Sequence, residues 1–127
     1  MPLTRIDLIK GKSEEYRQAI GEAVYQALLS IGVPVDDRFL IITEHEPTNF
    51  IFAKSYLGVE HTENLVMIQT TFNEGRATAQ KQALFKAIAE GIHAATGLRM
   101  GDVFVNLVEV KRENWSFGDG VAQYVSV

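Results

Sequence analysis

Gly97-Leu98-Arg99-Met100-Gly101-Asp102-Val103-Phe104-Val105-Asn106-Leu107-Val108-Glu109 decides the fold, because Gly32-Val33-Pro34-Val35-Asp36-Asp37-Arg38-Phe39-Leu40-Ile41-Ile42-Thr43-Glu44 has the same layout. A shift of 65 residues sets Gly32 on Gly97, Asp37 on Asp102, Phe39 on Phe104 and Glu44 on Glu109. In each stretch a glycine ends a helix, an aspartate turn follows, and a β-rich run comes next. Outward from these runs the order also repeats. Leu3–Ile9 alternates, with Thr4, Ile6 and Leu8 on one side and Leu3, Arg5, Asp7 and Ile9 on the other, as a strand requires. Ser13 is placed to cap a helix whose first turn carries Glu14 and Glu15. Tyr16, Ala19, Ile20, Ala23, Val24, Ala27 and Leu28 form its apolar stripe, and Gly32 and Pro34 stop it. In the second half Leu65–Phe72 is strand-like, a turn at Gly75 leads into a helix through Ala83, Leu84, Ile88 and Ile92, Gly97 closes it, and Val103–Val110 is the last strand.

The expectation is one α/β (α+β) domain over residues 1–127, made of two consecutive βαβ units with right-handed crossovers. The halves span about 1–46 and 65–110, and residues 111–127 form a C-terminal tail. Both helices should cover one face of a four-stranded mixed sheet. The strands nevertheless carry apolar groups on both faces, Val103, Val105 and Leu107 opposing Phe104, Val108 and Val110, and Leu40 and Ile42 opposing Phe39 and Ile41. A sheet greasy on both sides and covered on one predicts burial against copies of itself. Residues 47–64, with Phe50-Ile51-Phe52 and Tyr56-Leu57, are too apolar for a free loop. The tail brings Trp115, Phe117 and Tyr124 around a tight Gly118-Asp119-Gly120 turn.

Composition removes several classes of function. The 127 residues are 46% hydrophobic and 22% charged, which fits a globular domain and not a disordered chain. Without cysteine there is no disulfide, thiolate nucleophile or cysteine-held metal, which fits a reducing cytosol. A net charge of −4 gives nucleic acid no electrostatic attraction. No 18-residue apolar run would span a membrane, and the first residues lack a signal peptide's apolar core. The three histidines, His45, His61 and His93, lack the spacing of a metal centre, so no metal is expected.

Met1-Pro2-Leu3, Gly32-Val33-Pro34 with Asp37-Arg38, Glu44-His45-Glu46, Gly75-Arg76 with Ala79-Gln80-Lys81 and Ala83-Leu84, and Asn114-Trp115-Ser116-Phe117-Gly118 occur here in order. Together they resemble the tautomerase superfamily, with its 4-oxalocrotonate tautomerase-like fold, and in particular the branch containing malonate semialdehyde decarboxylase. The resemblance covers nearly the whole chain. It implies a cofactor-independent enzyme, a homotrimer, and a catalytic proline at the mature N-terminus, since proline at position 2 favours removal of Met1. Such a secondary amine acts as a base at neutral pH only if apolar walls and nearby cations make it hold its proton less firmly.

By the same resemblance Pro2, Arg76 and Asp37 are the expected catalytic residues, and Arg38, Trp115, Phe117 and Tyr124 the expected substrate-binding ones. Arg76, at the mouth of the second helix, would grip a carboxylate with its planar fork and steady an enolate. Positive charge is otherwise unfavourable there. Asp37 matches the family's aspartate, which in the decarboxylase helps to activate water or position substrate. Its repeat partner Asp102 lies in the same kind of turn, where aspartate often bonds its own backbone. The decarboxylase carries a second arginine two residues before Arg76, where this chain has Glu74 beside Asn73. The expected activity is therefore keto–enol tautomerisation of a small 2-oxo acid of the phenylpyruvate type, in the cytoplasm. The alternatives are decarboxylation or hydration of a 3-oxo acid, and a non-catalytic trimeric binding protein on the same fold.

Overall fold

The computed structural model describes residues 2–125; the expected loss of Met1 and the last two residues of the tail fall outside them. The chain runs β1 (Leu3–Ile9), α1 (Glu14–Ser30), β2 (Leu40–His45), a short hairpin of β3 (Ser55–Tyr56) and β4 (Val59–Glu60), β5 (Val66–Asn73), α2 (Thr78–Thr96) and β6 (Val103–Val110). The main sheet has the order β2-β1-β5-β6. β1 and β2 run parallel, as do β5 and β6, and an antiparallel β1–β5 seam joins the two units. This is the mixed sheet expected from the repeat.

Local chemistry sets the ends of the elements. Ser13 Oγ accepts from the Tyr16 N–H at 3.1 Å and caps α1. Gly97, at φ 78°, closes α2 and donates its N–H to the His93 carbonyl at 2.8 Å. Phe39 precedes β2, although its carbonyl still accepts from Thr4 N at 2.9 Å. The third strand of the repeat starts one residue later than expected, because the Leu65 N–H turns back to the Thr62 carbonyl at 3.0 Å. It also ends one residue later, since Asn73 pairs with Val110.

Both helices pack on one face of the sheet. Ile20, Val24, Leu28, Leu84, Ile88 and Ile92 meet Ile6, Leu8, Val66, Ile68 and Phe72 in one core, with Val105 and Leu107 against its edge. Thr4 and Thr70 face the same core, fully buried and opposite each other in the β1–β5 register. Their hydroxyls bond at 2.9 Å, so each satisfies the other where water cannot reach.

The second face carries the expected apolar groups, Ile41 and Phe104 being 42% and 43% exposed and Leu3, Ile9 and Met67 sharing it. Polar groups stand among them at its centre, where β1 and β5 place Arg5, Asp7 and Gln69. Asp7 bonds His45 at 2.6 Å and Gln69 donates to Asn106 at 2.9 Å.

Asp37 and Asp102 share a backbone turn, their N–H groups donating to the Pro34 and Arg99 carbonyls at 3.1 and 3.0 Å. The Asp102 side chain reaches beyond it: it accepts from Thr62 N at 2.7 Å and Thr62 Oγ1 at 2.6 Å, forty residues away, and meets Arg99 of its own turn at 3.2 Å. Burial acts to raise its carboxyl, but the Thr62 hydrogen bonds and Arg99 together outweigh that and hold it below the usual aspartate value. The long connection before β5 is thereby tied to the turn before β6.

Two expected outcomes test this description. Thr70→Val should lower unfolding free energy by about 1–3 kcal/mol, while adding Thr4→Val should restore much of it, because an orphaned hydroxyl costs more than two absent ones; a double-mutant cycle by urea denaturation reads the coupling. Asp102→Asn should cost about 1–3 kcal/mol at neutral pH. A carboxyl depressed on folding stabilises above its unfolded value and loses that contribution as pH falls through its folded value, so the gap between variant and wild type should close below about pH 4 in thermal melts.

Candidate active site

The end of the sheet at which β1 begins and β5 finishes gathers most of the residues expected to act. Leu3 pairs with Thr71, so one further step along the antiparallel ladder sets Pro2 across from Phe72. Both are buried. The strand alternation that puts Thr4 and Thr70 on the helix-covered face puts Pro2 and Phe72 there as well.

Past Asn73 the chain turns through Gly75, at φ 115°, a conformation suited to glycine. The turn brings Arg76 back over β5, its guanidinium carbon 4.6 Å from the centre of the Phe72 ring and its Nη1 donating to the Asn73 carbonyl at 3.3 Å. The side chain is half-buried, yet among the described residues it forms no ion pair with a carboxylate. Arg17, Arg38 and Arg99 each have one, with Glu44, Glu22 and Asp102. Glu74 is exposed and fastened through its backbone, its N–H donating to the Val110 carbonyl at 2.9 Å.

The tail closes the same end. Trp115 Nε1 donates to Asn73 Oδ1 at 2.7 Å. Its ring stacks on Phe117 with centroids 5.6 Å apart, and Phe117 meets Tyr124 edge to face at 5.2 Å. Gln123 pins the turn between them by accepting from the Phe117 N–H and donating to the Gly118 carbonyl. The expected aromatic wall is thus one continuous surface anchored to the last residue of β5. Phe72 and Asn73, which connect Arg76 to that wall, were not singled out in the sequence; their position directly before the Gly75 turn is the signal that marks them.

Two expected residues lie to one side. Asp37 and Arg38 precede β2, and because β2 runs parallel to β1 they lie at the same end of the sheet, on its edge. Asp37 is half-buried and its N–H donates to the Pro34 carbonyl at 3.1 Å. Arg38 turns toward α1, pairing with Glu22 and lying 4.3 Å over the Tyr25 ring. Hydrogen bonding from Gln26, with Arg38 adding to it, holds the Glu22 carboxyl below its usual value. The structure therefore does not bring Arg38 into the group formed by Arg76 and the aromatics. A hollow of about 780 Å³ beside Arg38 is lined also by Glu15, Gln18, Leu40 and Ile42, and contains none of the other expected site residues.

The histidines are engaged elsewhere. His93 and His61 donate through Nδ1 to the Leu98 and Ala53 carbonyls, and His45 pairs with Asp7. Among the described residues no group of three His, Asp or Glu side chains converges as a metal site, and no helix is long and apolar enough to cross a membrane.

Comparison with known proteins agrees with this architecture. Two family models, both described as "Tautomerase enzyme", match residues 37–118 and 2–60. The probable tautomerase YusQ of Bacillus subtilis (strain 168) is 40% identical over 126 residues, 98% of this chain and 99% of that protein. Among solved structures, FG41 malonate semialdehyde decarboxylase inhibited by 3-bromopropiolate superposes with a TM-score of 0.89 at 40% identity, over 97% of this chain and 94% of that one. A fused 4-OT symmetric trimer shares the fold, with a TM-score of 0.77 at 22% identity over 94% of each chain. From the paired βαβ units to the full-length likeness with YusQ, these findings agree: the chain belongs to the tautomerase family.

Proposed function

We propose that the chain is a keto–enol tautomerase for a small 2-oxo acid of the phenylpyruvate type, with Pro2 as the proton carrier and Arg76 as the carboxylate clamp. One observation carries this proposal. Arg76 is a half-buried guanidinium laid on the Phe72 ring, without a carboxylate partner among the described residues, at the point where the ladder sets Pro2. A cation held this way beside the start of α2 favours an incoming anion, because the positive end of the helix adds to its charge.

Once Met1 is removed, the Pro2 nitrogen is a free secondary amine. Its buried setting and the neighbouring guanidinium both favour the uncharged form. The neutral amine takes a proton from C3 of the bound 2-oxo acid. The C–H electron pair becomes the C2=C3 double bond, and the carbonyl electrons move onto oxygen. The prolinium then gives its proton to that oxygen, forming the enol, and the reverse sequence carries a proton from the enol oxygen through the amine back to carbon. No atom leaves and no electron is lost, so protein groups suffice. Trp115, Phe117 and Tyr124 form the apolar wall that keeps water from the carbanionic carbon. The names of the similar proteins support an isomerase of this kind.

Decarboxylation of a 3-oxo acid is the second reading, favoured by the 40% identity to malonate semialdehyde decarboxylase and by Asp37 at the same end of the sheet. Three copies of the chain are proposed to associate through the open sheet face, its apolar margins against neighbours and its polar centre paired across the contact; the fused 4-OT trimer on the same fold supports that number.

With phenylpyruvate enol as substrate, Pro2→Ala should lower kcat by 100-fold or more, as expected for loss of a general acid–base group worth ~10²–10⁴. Arg76→Ala should act chiefly through a raised KM. Unchanged turnover in Pro2→Ala would remove proline from the mechanism and leave the non-catalytic trimer. Carbon dioxide released from malonate semialdehyde faster than the enol ketonises would favour the decarboxylase. Analytical ultracentrifugation at micromolar concentration should give three times the 14.1 kDa chain mass; a monomer would refute the assembly.

A further inference from the structure

Asn73 stands between the two halves of the site. Its carbonyl receives Arg76 Nη1 at 3.3 Å, and its side-chain Oδ1 receives Trp115 Nε1 at 2.7 Å. An indole N–H can only donate, so the carboxamide must turn its oxygen toward Trp115. That fixes which way round the amide lies. It also leaves the Nδ2 group, with two N–H donors, pointing away from the tryptophan, and no acceptor among the described residues takes them. The antiparallel ladder places Asn73 one residue beyond the partner of Pro2, on the opposite face of the sheet from Phe72 and Arg76. An acid lying across the start of β1 would meet Arg76 from the helix-covered side and the Asn73 amide from the open side.

We infer that Asn73 is a catalytic residue of this site, its Nδ2 donating a hydrogen bond to the substrate oxygen that becomes negative in the enolate. The inference rests on the tautomerase proposal for Pro2 and Arg76. When the amine removes the C3 proton and the carbonyl electrons move onto oxygen, charge develops at an atom next to the carboxylate that Arg76 holds, where a second donor can share it. A fixed amide donor there lowers the barrier without having to reorient during the reaction. Trp115 is then a positioning residue as well as part of the wall: it orients the donor.

The contrast between Asn73→Asp and Asn73→Ala tests this. Asn73→Asp keeps an oxygen for the indole N–H and replaces the donor by a second acceptor. Were Asn73 only an anchor for Trp115, Asn73→Asp would retain activity and Asn73→Ala alone would lose it. As a donor, both should lower the kcat for phenylpyruvate enol by about 100-fold or more, the usual loss for an oxyanion donor. The new carboxylate also favours a protonated proline, so the rate should be followed over a pH series. That charge effect moves the profile to higher pH and leaves its plateau, whereas loss of the donor lowers the plateau at every pH. Thermal melts show whether each variant is folded. Should Asn73→Asp unfold, Asn73→Ala is read in a Trp115→Phe background, where no indole bond is left to lose; a further loss of about tenfold or more supports the donor, while no further loss overturns it. A plateau within about threefold of wild type in either folded variant overturns the assignment. Failure of the underlying proposal looks different: wild type itself would not turn over, or Pro2→Ala would match it, and the role of Asn73 would fall with it.

Discussion

The antiparallel seam between β1 and β5 is the contact on which the rest of the molecule depends. Each βαβ unit has one helix and two parallel strands, too little to enclose a core. Pairing β1 with β5 makes one four-stranded sheet, lets α1 and α2 cover the same face, and brings Ile6, Ile68, Ile20 and Ile88 into a single core. The Thr4–Thr70 hydrogen bond helps to specify the register, since a slip by one residue would turn both hydroxyls and their apolar neighbours to the other face. That register also aligns Pro2 with Phe72.

The candidate site is the place where the seam ends. Sheet hydrogen bonding stops there, a glycine turn lifts the chain into α2, and the tail folds back over the gap. A guanidinium beside a helix N-terminus is disfavoured by the helix dipole. Here the Phe72 ring offers it compensation through a cation–π contact. An anionic ligand would relieve the remainder, so a locally unfavourable arrangement in the free protein favours binding. Arg38 shows the contrast: engaged with Glu22 and Tyr25, it contributes to the attachment of β2 to α1.

Much of the fold was legible because its signals are local. The alternation of Val103–Val110, the Ser13 cap and the Gly97 terminator each depend on the backbone preferences of a few adjacent residues, and each appears where expected. The site was legible in part. Trp115, Phe117 and Tyr124 do assemble, and Arg76 lies at the mouth of α2. The engagement of Arg38 by Glu22, the grip of Asp102 on Thr62 and the polar centre of the open face were not legible. Each depends on partners distant in the chain, or on which of several polar groups face one another across a ladder.

Sequence by itself determined the paired units, the order of their elements and the residue types available for acid–base and carboxylate chemistry, because periodicity and capping act within a turn or two of the chain. Tertiary structure alone decided that Arg76 lies on the Phe72 ring without a carboxylate partner among the described residues, and which way round an asparagine amide must lie. Those outcomes are set by residues 42 positions apart, as Asn73 and Trp115 are, meeting with a geometry that only the closed fold imposes.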